Sequence, residues 1–370
     1  MKFIIAPGKY NNHVSSTKIS QAIYNGISHA MPEAEIVTMP VTDSKYGMPA
    51  LVAHTLGGHW IEMPYFDAFW NNKKGRYLIT KIDSQDTAII DSEQVVGVDL
   101  AKNKTRDQLF HATSYGIGEF IMDAVTSGLK NIVLCLGKTA VADGGLGVLQ
   151  ALGARIYNET GELIPEGENP LIDANRIDME DVYELLGQRT KITVLLNFSS
   201  EHKLRDTVEY LNEAQESFLG DNLVYITEKM NQKYNLDIHP MPHSDSIKTL
   251  AGAFAMINAH ISRSSFEWVA KVTGMNETIH SADIIVMATD KISIDTINDD
   301  VLYHISSLSN SEQIPNFVLC NDFIDDFQDN KQLFTGIFST RMTELDDETT
   351  LLNNYESVAN QLIRTLLTFQ

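Results

Sequence analysis

The sequence predicts a two-domain α/β protein. Three observations carry that expectation. Strand-like and helix-like segments alternate at both ends of the chain, a stretch of different texture lies between them, and the chain is 370 residues long. Single cores stop growing near ~250–300 residues, so a chain of this length divides.

Residues 3–7 form a short apolar run stopped by Pro7-Gly8, the pattern of a buried strand. Ser15 and Ser16 are N-cap candidates for a helix in which Ile19, Ala22, Ile23 and Ile27 recur at helical spacing. Residues 35–40 then read as a second strand. Strand, helix, strand in that order opens a parallel βαβ sheet.

From Gly57 to about Val98 the texture changes. Tyr77-Leu78-Ile79-Thr80 and Thr87-Ala88-Ile89-Ile90 are short β-like runs separated by turn residues, which predicts antiparallel pairing. Alternation then resumes. A helix carries Ile117, Ile121, Ala124 and Val125 with Gly128 as its C′ residue, followed by a strand at 132–136 and a helix at 144–152. Residues 158–185 are polar and turn-rich, 192–196 read as a strand, and 246–261 and 265–272 as apolar-faced helices. Two more buried strands, 283–287 and 316–320, precede a last helix at 355–367. The opening βαβ and the late strands match in texture. One discontinuous domain, 1–55 with 282–370, is therefore expected to receive an inserted α/β domain, 56–281.

The composition, 43% hydrophobic and 21% charged, is that of a globular chain. A formal net charge of −21 repels phosphate backbones and gains nothing from counterion release, which argues against a nucleic-acid partner. An anionic small molecule such as a nucleotide must then be received locally: by amides at a helix N-terminus, a few basic side chains or a divalent metal. Cys135 and Cys320 each end an apolar strand-like run and read as buried free thiols. The opening apolar stretch is too short for a signal peptide, and no run approaches the ~18 apolar residues of a membrane helix. A cytoplasmic protein without a membrane partner is expected. Assembly as a homo-oligomer stays open.

Two familiar patterns fail on spacing. Gly137-Lys138-Thr139 looks like the end of a phosphate-binding loop, but the glycine needed five residues earlier is Ile132. Gly116-Ile117-Gly118 resembles a dinucleotide fingerprint, but its third glycine is Ile121. The prolines in His239-Pro240-Met241-Pro242-His243 rule out a regular helix presenting both imidazoles, and no cysteine nearby completes a zinc set. Asp322, Asp325, Asp326 and Asp329 read as a solvated surface.

Two segments survive. Thr113-Ser114-Tyr115-Gly116-Ile117-Gly118-Glu119 opens a helix with glycines where backbone could approach another group; ordinary capping by Ser114 and Glu119 is the competing account. Ala142-Asp143-Gly144-Gly145-Leu146-Gly147 follows a strand and opens another helix. Glycines cost roughly 1 kcal/mol each against alanine inside a helix, a cost easier to understand if exposed amides face a ligand. Asp143 could orient that site, help hold a metal or serve as an N-cap.

Together these segments, with Gly137 and the following Val148-Leu149-Gln150-Ala151-Leu152-Gly153, resemble the central signature of the type I glycerate kinases. Ile4-Ala6-Pro7, Pro40…Asp43…Gly47, Asp283-Ile284-Ile285-Val286 and Gly336-Ile337-Phe338-Ser339 extend the resemblance from Phe3 to about Leu366. It implies a flavodoxin-like parallel-sheet domain made of both chain ends, with a second α/β domain inserted. It also implies transfer of the ATP γ-phosphoryl, with Mg2+, to a hydroxyl of glycerate. That chemistry asks mainly for positioning and charge neutralisation.

Several motif positions depart from the family pattern. The acid and lysine after Ala6-Pro7 are replaced in Gly8-Lys9-Tyr10-Asn11-Asn12. Asp43-Ser44-Lys45-Tyr46-Gly47 and Gly137-Lys138-Thr139-Ala140-Val141-Ala142-Asp143 substitute side chains for glycines and small polar residues. Leu196-Asn197-Phe198-Ser199-Ser200-Glu201 lacks two carboxylates, and Lys248-Thr249-Leu250-Ala251 and Met287-Ala288-Thr289-Asp290-Lys291-Ile292-Ser293 lose further glycines. The expected catalytic residues are Asp43, Asp91 and Asp143. Ligand binding is expected from Gly137, Lys138, Thr139, Gly144, Gly145, Gly147, Ser114, Tyr115, Gly116 and Lys9, with ATP and Mg2+ as cofactors of an active enzyme. The competing expectation is a pseudoenzyme that keeps the fold and binds a metabolite, nucleotide or protein partner.

Overall fold

The computed structural model describes residues 1–7, 14–39, 47–137, 139–196, 211–238, 250–262, 265–292, 301–323, 332–341 and 347–368. They form two compact units, Met1–Val52 with Phe266–Gln370, and Ala53–Ser265. No helix among the described residues is long and apolar enough to cross a membrane.

The first unit begins with β1 (Lys2–Pro7), buried from Phe3 onward. Continuous burial is what a central parallel strand covered on both faces requires. α1 (Ser16–Ala30) starts at Ser15, whose side chain accepts from the Lys18 amide, and buries the stripe Ile19, Ala22, Ile23 and Ile27. β2 (Glu35–Thr38) and α2 (Gly47–Leu56) follow.

The second unit opens on a meander. β3 (His59–Phe66), β4 (Asn72–Ile82) and β5 (Gln85–Asp91) pair antiparallel, with His59 opposite Ile79 and Leu78 opposite Ile89. Asp83 and Ser84 make the tight β4–β5 turn at φ 50° and 64°, the left-handed pair that a two-residue hairpin loop uses. After α3 (Glu93–Val96), α4 (Arg106–Phe110) and α5 (Tyr115–Thr126) comes β6 (Asn131–Leu136), parallel to β5. α6 (Leu146–Ala151) leads to a small pair, β7 (Arg155–Tyr157) and β8 (Arg176–Asp178). α7 (Glu180–Leu186), β9 (Lys191–Leu196), α8 (Glu213–Tyr234), α9 (Ala251–Met256) and β10 (His260–Ser262) complete the unit.

The sheet order is β10-β9-β6-β5-β4-β3, with β5, β6, β9 and β10 parallel. These directions place the carboxyl ends of β5 and β6, the β3–β4 turn and the N-terminus of α5 at one edge of the sheet. Its core gathers Tyr77, Phe120, Ile117, Leu134, Leu149, Leu223 and Phe254.

The chain then returns to the first unit through α10 (Ser265–Thr273), α11 (Met275–His280), β11 (Ile284–Ile292), α12 (Val301–Ser311), β12 (Asn316–Phe323), β13 (Gly336–Ser339) and α13 (Glu348–Thr368). The sheet order β13-β12-β11-β1-β2 is parallel throughout. Counted within this unit it is the doubly wound 2-1-3-4-5 order of flavodoxin-like folds. Alternate residues feed two cores. Phe3, Ile5, Val286 and Leu319 pack with α1 and α13, while Ile4, Ala6, Met287 and Cys320 pack with Ala270, Met275, Ile279, Leu302 and Ile305. At Gly26 a Cβ would meet the Glu356 carbonyl and lie 2.9 Å from the Ala359 Cβ, so this glycine lets α1 and α13 touch.

The division of the chain falls at Phe266 rather than at 282, because Ala270, Met275 and Ile279 share a core with β1 and β11. The helix expected over 246–261 is described from Ala251 to Met256 only, and His260–Ser262 is a strand that pairs with Thr193–Leu195 of β9. The long α8 occupies a stretch to which periodicity assigns no element, since exposed Phe218 and Tyr225 blur its buried stripe of Leu219, Leu223, Ile226 and Met230.

Candidate functional site

At the carboxyl edge of β5, Asp91 ends the strand and its Oδ1 accepts from the Glu93 amide at 2.9 Å, starting the single turn of α3. Ser92 ties this turn to β6. Its amide donates to the Cys135 carbonyl at 3.0 Å, and its hydroxyl accepts from the Gly137 amide at 3.2 Å. Gln94 ties the other side to β4, with its carboxamide bonded to both backbone groups of Arg76 at 3.0 Å. Glu93, exposed, lays its carboxylate against Gly137, where a Cβ would collide with Oε1. Burial, with Asp91 and Glu93 adding to it, pushes the Cys135 thiol well above the usual thiol range. That thiol stays neutral.

The glycine turn after β6 is built differently. Asp143 is 0% exposed, and its carboxylate accepts from the Ser114 amide at 2.7 Å, the Ser114 hydroxyl at 2.8 Å, the Gly145 amide at 2.8 Å and the Gly147 amide at 3.2 Å. The Thr113 hydroxyl is a fifth, longer partner at 3.4 Å. The Ser114 hydroxyl in turn accepts from the Val148 amide at 3.2 Å. A carboxylate of the chain itself thus takes amides at the starts of α5 and α6, where the expectation was that they face a ligand. Burial pushes the Asp143 carboxyl up, against the pull of these donors.

The glycines here answer to space. Gly144 and Gly145 sit at φ 60° and 78°, and a Cβ on Gly145 would lie 2.6 Å from the Ala253 Cβ. A Cβ on Gly147 would run into the Thr113 hydroxyl and lie 2.7 Å from the Tyr115 amide. Gly116 and Gly118, the near-fingerprint, lie against the Phe66 carbonyl and against Ala151 and Val148 of α6. They are packing glycines.

Beside this junction the N-terminus of α5 carries Tyr115. Burial and a hydrogen bond to the Glu166 carboxylate raise its hydroxyl above the usual phenol range. Trp70 meets Tyr115 edge-on at 5.1 Å and stacks on Phe66 at 4.3 Å. Glu119 accepts from the Phe66 amide at 2.7 Å, and burial, with Glu166 nearby, raises its carboxyl.

Of the residues singled out from sequence, Asp91, Gly137, Thr139, Ser114, Tyr115, Gly116, Asp143, Gly144, Gly145 and Gly147 lie on the carboxyl-edge segments of the second unit. Thr139 is buried and accepts from the Val141 amide at 3.0 Å, shaping its own loop. Ser114 does precede α5, but its side chain makes no cap bond to that helix and is spent on Asp143 and Val148. Lys9, Asp43 and Lys138 lie outside the described residues, as do the 239–243 histidine loop and Asp325, Asp326 and Asp329. Ser92, Glu93 and Gln94 were not singled out. The signal that could have found them is three polar residues directly after a buried strand that ends in an acid.

Among the described residues no group of three or more His, Cys, Asp or Glu could hold a metal ion. Fold and edge together define a two-unit α/β protein of the doubly wound class, which holds ligands beyond the carboxyl ends of its strands. The model of the glycerate kinase family matches residues 3–201 and 211–368, and the chain belongs to that family. It is 27% identical over 341 residues to glycerate 2-kinase of Escherichia coli, spanning 88% of this chain and 86% of that protein. It is 24% identical over 302 residues to a glycerate kinase of Halalkalibacterium halodurans, spanning 80% and 78%. A solved structure from Salmonella typhimurium that carries the name glycerate kinase 2 shares the fold at a TM-score of 0.81 with 21% identity, over 100% of this chain and 99% of that one.

Proposed function

We propose that the chain is an ATP-dependent kinase of glycerate or a closely related hydroxy acid, acting in the cytoplasm. The observation that carries this reading is the extent of the family match, 3–201 and 211–368, which takes in both units. Phosphoryl transfer needs placed charge more than covalent chemistry. Asp91, at a strand's carboxyl edge with Glu93 beside it, is the carboxylate best set to serve. Mg2+ binds through one or two carboxylates plus phosphate oxygens, and Asp91 and Glu93 would supply the carboxylate part of that set. Asp143 does not fit that role, because its oxygens already accept five donors.

A second reading, a relative that binds a metabolite, nucleotide or protein partner without turnover, is favoured by one observation. The Gly145 and Gly147 amides are committed to Asp143 and do not offer a phosphate cradle. A coupled assay of ADP release with Mg-ATP and glycerate separates the two. Turnover that falls with Asp91→Asn supports the kinase. Absence of turnover, with no thermal shift from Mg-ATP or glycerate, leaves the partner-binding role. Asp143→Ala is a poor probe of chemistry here, since it removes a buried junction.

A further inference from the structure

We infer that Gln94 is a positioning residue for the Asp91 carboxylate, which it fixes by completing the β4–β5 ladder with a side chain. The inference rests on the reading of Asp91 as a residue of the site. Extending the register that pairs Leu78 with Ile89 would set Arg76 opposite Asp91. The Gln94 carboxamide takes that place. Its Oε1 accepts from the Arg76 amide at 3.0 Å, and its Nε2 donates to the Arg76 carbonyl at 3.0 Å. These are the two bonds a strand residue would make.

The same Nε2 also donates to the Asp91 carbonyl at 3.0 Å, and the Gln94 carbonyl accepts from the Tyr65 hydroxyl at 2.7 Å. Gly75 makes room, since a Cβ there would lie 2.6 Å from Oε1. Asp91 is thus released from β4 while it stays paired with Cys135 of β6, and it is held on both sides, through its carbonyl by Gln94 and through the next residue, Ser92, by the Cys135 carbonyl. With the main chain fixed at two points, the Asp91 Oδ1 meets the Glu93 amide at 2.9 Å. A carboxamide suits this post because it accepts and donates in one plane.

The test is Gln94→Glu, with Gln94→Ala beside it, each alone and combined with Asp91→Asn. Glutamate keeps the acceptor for Arg76 and loses both donations into carbonyls. A small displacement of a reacting group costs on the order of 10–100-fold in kcat/KM, and that loss is expected for Gln94→Glu alone. With Asp91→Asn in place, the further loss should shrink to under about 2-fold, since the effect runs through Asp91. The lowering of Tm by the Gln94 change should persist in both backgrounds. Equal fold-losses in the two backgrounds would overturn the positioning role. So would wild-type kcat/KM in both Gln94 variants.

A crystal structure of Gln94→Glu decides the point without turnover. Displacement of residues 91–96 with loss of the Asp91–Glu93 contact is expected, and an unmoved Asp91 overturns the inference. A wild-type protein that turns over nothing sinks the kinase reading alone, because the crystallographic outcome still stands for Gln94.

Discussion

Asp91 ends β5 and Asp143 follows the neighbouring parallel strand β6, yet the protein uses them in opposite ways. Asp143 is wholly buried and accepts from Thr113, Ser114, Gly145 and Gly147, so it joins two helix starts. Asp91 keeps 7% exposure, and its Oδ1 accepts from the Glu93 amide on a turn whose tip carries an exposed acid. A carboxylate saturated by fixed donors in a dry interior is structural, since any ligand must first displace those bonds. One at a strand's carboxyl edge can still serve a ligand. An acid in a glycine-rich turn is therefore judged by its donors, and the glycines by what stands where their side chains would be.

Asp143→Ala strikes the comparison hardest. It leaves several buried donors unpaired, and a loss on the order of 3–5 kcal/mol is expected in urea denaturation. A loss below about 1 kcal/mol would mean the junction is not what holds α5 and α6 together.

Asp91→Asn probes the other side. The amide keeps the Oδ1 acceptor for Glu93, so stability should move by less than about 1 kcal/mol. In the coupled assay kcat/KM should fall by on the order of 100-fold or more. The reverse pattern, lost stability with activity kept, would erase the distinction between the two acids.

Gly145→Ala refines the account of the glycines. A side chain at φ 78° facing Ala253 and the Leu250 carbonyl should cost on the order of 2 kcal/mol, read from the shift of the urea midpoint. Full stability in this variant would mean the turn has room to spare and would reopen the ligand account.

The smallest effect is a pH dependence. Glu119 is shifted upward from 4.5 by burial, so the folded state holds its proton more tightly than the unfolded chain. Between the two values the native state binds more protons, and the Glu119 contribution to stability declines as pH rises above 4.5 through the folded value. Glu119→Gln keeps an acceptor for the Phe66 amide and should flatten that decline in a Tm-against-pH series. An unchanged slope would remove Glu119 from the account.

Much of the fold is legible because it is written locally. The stripe from Ile19 to Ile27, the continuous burial of β1 and the antiparallel pairing of the runs at 77–80 and 87–90 each follow from side-chain period or turn residues. The short strand at 260–262 was not legible. Three residues of mixed polarity become a strand only because β9 offers them a ladder. The candidate site divides the same way. An acid closing a buried strand at Asp91 can be read, whereas the Gln94 contact to Arg76 joins segments 18 residues apart and leaves no periodic trace.

The chain alone determined that alternating strands and helices would build two α/β units from one discontinuous path, since hydrophobic period and turn residues act over a few positions. Only the tertiary structure decided which acid is a strut and which stands at an edge. Both are aspartates beside turn residues in the sequence. Their difference lies in donors brought from Thr113 and Ser114 to Asp143, and in the side chain that Gln94 lends to β4.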